Sequence, residues 1–251
     1  MEISVEDFRT KFIRIFGDDV WNDFINFGKS KQDTKSFKSM HNVIKQLNAY
    51  KKKIANRNLY TKGKNLRFAR FVLISIERTF RPQNRSIKFN KKEKLKDGHF
   101  NRRWEVEHIF SKSKFDNKFK GFTPSNSGLN KHSLGNLTII TRELNGEKQY
   151  IDADFQAKKS LIQQSKENEG LYINCIFKNQ SAKSTKDYFQ LLEDRQIELK
   201  NDFDKIFKPD EIGIPVVFFR DVLGYSESDI KTMLHITRRI RKWCRNRRKM
   251  K

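Results

Sequence analysis

The chain has 251 residues and carries 54 Lys plus Arg against 30 Asp plus Glu, a formal net charge of +24, which makes polyanions its natural partners. With 36% apolar residues and 22 Phe it can bury a real core, and a wholly disordered basic tail is excluded. No stretch approaches the ~18 consecutive apolar residues of a membrane span, the N-terminus lacks a signal-peptide pattern, and Cys175 and Cys244 form no C-x-x-C pair, so a soluble, cytoplasmic protein with neither a disulfide framework nor a cysteine-based zinc site is expected.

Phe8, Phe12, Ile15, Phe16, Val20, Trp21 and Phe24 recur every three to four residues and predict a helix over Val5 to Phe27. Helices follow over Phe37 to Ile54 and over Leu66 to Phe80, the latter nearly all apolar and therefore buried, and Arg81-Pro82 stops it. Gln83 to Arg103 is polar, basic and without period, and reads as a long loop. A short strand over Trp104 to Phe110, a Gly/Ser/Asn/Pro-rich loop over Gly121 to Ser133 and a second strand over Leu137 to Thr141 come next. Further helices are predicted from near Arg142, over Asp154 to Gln164 and over Lys186 to Phe207. Pro209 to Pro215 interrupts, and Val216 to Lys251 is helical again and turns basic. In that last part Ser226 or Ser228 would cap a short helix ending near Leu234. A second helix from about Arg238 would present Arg239, Arg241, Lys242 and Arg245 to DNA, either as a helix-turn-helix or as a plain basic helix on phosphates.

Charge is unevenly spread. Residues 29 to 104 hold 23 basic and four acidic side chains, residues 238 to 251 hold nine basic and no acidic ones, and the remainder is slightly acidic. Two basic zones around such a middle suit a protein that grips a polyanion at two places. Codon bias could supply the lysines, but six of the nine tail cations are Arg, which favours phosphate contact.

The middle holds the chemistry. Trp104-Glu105-Val106-Glu107-His108-Ile109-Phe110 sets a carboxylate beside a histidine on a strand. Leu134-Gly135-Asn136-Leu137-Thr138 enters a second strand, and Leu144-Asn145 lies on the following helix. This is the order of a ββα metal-binding element. The two segments resemble the HNH nucleases, and most closely the HNH domain of GmrSD-type modification-dependent restriction enzymes. Phe155 to Lys159 and the helix around Arg195 resemble that domain's lysine pair and closing helix, so the likeness covers roughly 60 to 207.

The resemblance implies a mainly α fold with an embedded ββα-metal (HNH) element, an α+β protein in three regions: helical 1–60, nuclease 61–208, and a basic DNA-binding tail 209–251. It implies hydrolysis of DNA phosphodiesters in defence against foreign DNA. His108 would be the general base, since an imidazole can take a proton from water at neutral pH. Glu107 and the amide oxygen of Asn145 would hold one Mg²⁺ or Mn²⁺. Asn136 would tie the base-bearing strand to the loop, and Arg142 and Lys148 would clamp phosphate. Adjacent residues of a regular strand face opposite ways, so Glu107 and His108 can meet only where the strand ends or twists. Ser111 stands where the family usually has Pro.

A non-catalytic DNA-binding regulator with a degenerate HNH element is the alternative, and a delivered nuclease toxin a weaker one. His132 reads as a loop histidine. Gly28-Lys29-Ser30 imitates the end of a P-loop, but Asp23 replaces its first glycine, so nucleotide binding is not expected and an NTPase or sensor partner would be a separate protein.

Overall fold

The computed structural model describes residues 4–26, 40–53, 59–60, 63–95, 98–124, 127–146, 148–151, 153–179, 181–211, 213–235 and 238. The Gly28-Lys29-Ser30 segment, and the basic tail beyond 238 with its helix-turn-helix reading, lie outside them. The protein is mostly helical with small sheets, an α+β fold. Among the described residues no helix is long and apolar enough to cross a membrane.

The chain forms two compact units, residues 54–203 and the union of 1–53 with 204–251. Three consecutive regions were expected, but the first and last share one aromatic core. Phe8 lies 5.8 Å from Phe219, and Phe16 lies 6.4 Å from Phe218. In this unit α1 (Val5–Phe16) starts on Ser4, whose side chain accepts from the Asp7 amide at 3.1 Å. The single helix expected over 5–27 is two, because Gly17 at φ 92° leaves the right-handed region and α2 (Asp18–Asn26) starts afresh. α3 (Met40–Lys53) follows. Near the end of the chain a helical stretch at 227–235 begins with Ser226 as cap. Ser226 Oγ accepts from the Asp229 amide, and the Asp229 carboxylate accepts from the Ser226 amide at 3.0 Å.

The other unit is built around α4 (Lys64–Phe80), buried from Phe68 to Arg78 as its apolar run demands. Its buried charges find partners nearby. Arg70 donates to the carbonyls of Phe89 and Trp104, Arg78 donates to the Ile87 carbonyl, and Glu77 accepts from Asn84 and from the Ile173 amide. The loop expected over 83–103 contains a 3₁₀ turn (Pro82–Ser86) and a two-stranded ribbon, β1 (Lys92–Lys94) against β2 (Phe100–Arg102). β3 (Trp104–His108) pairs antiparallel with β4 (Leu137–Thr141), His108 opposite Leu137. β4 is buried throughout, whereas β3 alternates, with Glu105 and Glu107 on its partly exposed face. α5 (Lys112–Lys118) fills the start of the connection, and α6 (Arg142–Gly146) follows β4 directly. α7 (Lys148–Ile151), α8 (Phe155–Gln164), α9 (Lys166–Glu169), a 3₁₀ stretch (Tyr172–Lys178) and α10 (Thr185–Phe207) complete it.

Candidate active site

β3 is fixed along its whole length. Arg70 holds the Trp104 carbonyl at 2.7 Å, the β4 ladder runs alongside, and the Arg142 amide reaches the Arg103 carbonyl at 2.6 Å. At the far end, buried Asn136 accepts from the Phe110 amide at 2.8 Å and donates to the carbonyls of Phe110 and Lys131, each at 2.9 Å. The loop carrying Asn136 is held in turn from α10. Arg195 donates to the carbonyls of Leu134, Gly135 and Ile173, and the Gln196 side chain accepts from the Gly135 amide. Glycine is required there, since a Cβ at 135 would stand 2.5 Å from the Leu192 carbonyl oxygen.

His108 ends β3, and that is where it meets Glu107: Nδ1 lies 3.8 Å from Glu107 Oε1, within ion-pair range. The imidazole is 3% exposed, and its Nε2 has no hydrogen-bond partner among the described residues. Tyr60 packs against it with ring centroids 4.0 Å apart, and His132 follows at 5.7 Å. The Leu59 and Tyr60 amides both donate to the His132 carbonyl, which brings this distant segment to the site. The Tyr60 hydroxyl is pushed up to about 12 by burial, by the nearby Glu107 and Glu105 charges and by its hydrogen bond to Glu107. Burial and the neighbouring His108 lower His132. Beneath the strand, Lys158 donates to the His108 carbonyl at 2.9 Å with its ammonium 4.4 Å from the Tyr150 ring. Burial pulls Lys158 down to about 8, against the pull of Glu107. Burial raises Glu107 itself, but the His108 imidazole and amide and the Lys158 charge outweigh it and hold the carboxyl below its ordinary range.

The remaining expected residues gather on the Glu105 side. Asn145 Nδ2 donates to Glu105 Oε2 at 2.8 Å, and Arg142 Nη1 lies 3.6 Å from Glu105 Oε1. Asn145 was expected at Glu107; its hydrogen bond goes instead to the other carboxylate of the same strand face. Lys148 opens α7, but its side chain lies outside the described residues. Among the described residues no group of three or more His, Cys, Asp or Glu side chains is placed to hold a metal. The oxygen donors of Glu105, Glu107 and Asn145 are nevertheless of the hard kind that Mg²⁺ takes while keeping several waters, so the donor chemistry fits that ion better than zinc. A cleft of about 560 Å³ lies at the opposite, Trp104 end of β3, lined by Lys88, Lys91, Arg103 and Lys166 among others.

Tyr60 and Tyr150 are the site neighbours that the sequence did not single out. Tyr60 left one signal, an apolar Leu-Tyr pair inside a basic stretch, and Tyr150 left none beyond being aromatic on a short helix.

The family model for the C-terminal domain of GmrSD restriction endonucleases matches residues 44–201, and the chain belongs to that family. No curated protein and no solved structure matches the chain significantly.

Proposed function

We propose that the protein is a metal-dependent, HNH-type endonuclease that hydrolyses DNA phosphodiester bonds, acting in defence against foreign DNA, with β3, β4 and α6 as its ββα element. The observation that carries this reading is the placement of His108 in a chain of the restriction-nuclease family. Nδ1 faces Glu107, which favours the tautomer protonated there and leaves Nε2, buried in this structure, as the proton acceptor once substrate binding opens a path for water. Water held against the phosphate would give its proton to that atom. Asn136 holds both polar groups of Phe110 and Lys158 holds the His108 carbonyl, so the backbone just after the ring is fixed before substrate arrives.

Glu107 and Asn145, with Glu105 beside them, would hold one Mg²⁺ or Mn²⁺. Such an ion, when bound, supplies neutralisation of the phosphate and of the leaving oxygen. Arg142 brings positive charge to the end of the β4–α6 turn, and Lys148, which opens α7, would add to it where non-bridging phosphate oxygens would sit. The basic zones at 29–104 and 238–251 would hold the flanking duplex. Control or recognition would come from a separate sensor or NTPase protein.

Plasmid cleavage with Mg²⁺ or Mn²⁺, with and without EDTA, tests the reading. Nicked or linear product only when metal is present is expected. DNA binding without cleavage at any metal concentration would instead favour a non-catalytic DNA-binding regulator. One tightly held zinc in the purified protein would overturn the hard-ion assignment.

A further inference from the structure

The β1–β2 ribbon immediately precedes the strand that carries the site, and its two faces differ. Side chains alternate along a strand, and residues paired across an antiparallel ribbon share a face. Lys92 opposite Arg102 and Lys94 opposite Phe100 therefore lie on one side, and Glu93 opposite Asn101 on the other.

The Glu93 side is neutralised and tied down. Arg103 pairs with Glu93 at 2.6 Å and with Glu167 of α9 at 2.5 Å, and Lys91 lies 3.3 Å from Glu93. Among the described ribbon residues the Lys92 side holds three cations and no acid. Lys92 and Lys94 are exposed, and neither has an ion-pair partner among the described residues. Between these charges stands Phe100, 68% exposed, more than any other large apolar side chain among the described residues. At the foot of this face Arg102 is half-buried within the field of Glu105, whose carboxylate also meets Asn145 and Arg142. Positive charge thus runs from the ribbon to the site, and only about 13 Å of strand separates Trp104 from His108.

A fold gains nothing by leaving a phenylalanine in water among unpaired lysines, whereas a polyanion with aromatic bases rewards both. We infer that the β1–β2 ribbon is a DNA-binding element that enters a groove of the duplex, with Lys92, Lys94 and Arg102 on phosphates and Phe100 against the bases. A two-stranded ribbon is the width that the major groove of duplex DNA admits, and an exposed aromatic ring suits contact with unstacked or deformed base steps. The inference rests on the nuclease reading for its choice of DNA and adds the element that holds the substrate.

The test uses the full chain with metal withheld, so that binding is read without cleavage. Affinity for a labelled duplex of roughly 20 base pairs is measured by fluorescence anisotropy across a salt series. Three proteins are compared with wild type: the double variant Lys92→Glu/Lys94→Glu, Phe100→Ala, and a control double variant Lys183→Glu/Lys186→Glu that changes the net charge equally. Thermal melting establishes that each is folded, as exposed positions should allow.

The Lys92/Lys94 variant should bind at least about tenfold more weakly at ~0.1 M salt, with a salt slope shallower by about two phosphate contacts. Phe100→Ala should lose about fivefold or more with the slope unchanged, since it removes an uncharged contact. Unchanged affinity and slope in the ribbon variants, or equal losses in the control variant, would overturn the inference. Preference for a single strand over the duplex would overturn the groove assignment. Wild-type protein that binds no DNA at all would instead sink the nuclease reading from which the inference starts.

Discussion

Asn136 and Phe110 are joined twice: the side-chain oxygen of Asn136 accepts from the Phe110 amide, and its nitrogen donates to the Phe110 carbonyl. A single buried amide thereby serves both polar groups of the residue two positions after His108, as a β ladder would if the strand continued. Asn136→Ala takes the Asn136 side chain from two buried backbone groups of Phe110 and the part-buried Lys131 carbonyl, and should cost about 3 kcal/mol of stability, read by chemical denaturation. Cleavage should fall with it, because the peptide bearing His108 is no longer held. An unchanged unfolding midpoint would show that the clamp carries no weight.

His108→Ala should reduce cleavage by at least about 10²-fold, since it removes the proton acceptor. DNA binding should stay near wild type, while the loss of a buried ring packed on Tyr60 should lower the melting temperature without unfolding the chain. Plasmid nicking beside a binding measurement separates the two, and near-normal nicking would remove His108 from the chemistry.

Asn145→Ala should weaken activity in a way that more Mg²⁺ or Mn²⁺ partly restores, since one oxygen donor among several is lost. The same substitution frees Glu105 from its hydrogen-bond donor. A metal titration that leaves the defect unchanged would place Asn145 outside the ion's surroundings.

Gly135→Ala tests the seat of the loop. The added methyl would meet the Leu192 carbonyl oxygen at 2.5 Å and Gln196 Cβ at 2.8 Å, backbone and a helix-anchored atom that cannot turn aside. A loss of about 3 kcal/mol, the upper end for overpacking, is expected in denaturant unfolding. Wild-type stability in the variant would mean that α10 can withdraw without cost.

Glu77 predicts a pH dependence. Burial raises its carboxyl above the ordinary range, although hydrogen bonds from Asn84 and the Ile173 amide oppose the shift. The folded chain therefore keeps a proton that the unfolded chain releases. That stability is fully present below the ordinary carboxyl value of 4.5 and is lost as pH rises through the raised folded value. Glu77→Gln should flatten the decline in melting temperature between about pH 4.5 and neutrality. A variant with the same pH profile as wild type would assign the decline to other groups.

How far the sequence was readable depended on how each element earns its order. β4 was read to the residue, because all five positions of Leu137–Thr141 are buried and its composition says so. α10 was placed within one residue of its start by its apolar spacing. The β1–β2 ribbon read as loop because its strands are three residues long and bury neither face, leaving no alternation to detect. α5 was missed for a similar reason: Phe115 and Phe119 alone anchor it. At the site, the Glu107–His108 meeting needed the strand to end at His108, which the sequence could only pose as a condition. Tyr60 arrives through backbone bonds to His132, a long-range return that no local pattern encodes.

The seat of Gly135 against α10 also has a meaning in time. Gln196 and Arg195 lie 61 residues or nearly so beyond the loop they hold. At ~5–20 residues per second, a ribosome adds that length in roughly three to twelve seconds. Through that interval the nascent chain already carries His108 and both of its carboxylate neighbours, but not the helix that gives the loop its shape. The loop that ties down the end of β3 therefore gains its seat only after α10 has been made, some 60 residues later than the loop itself.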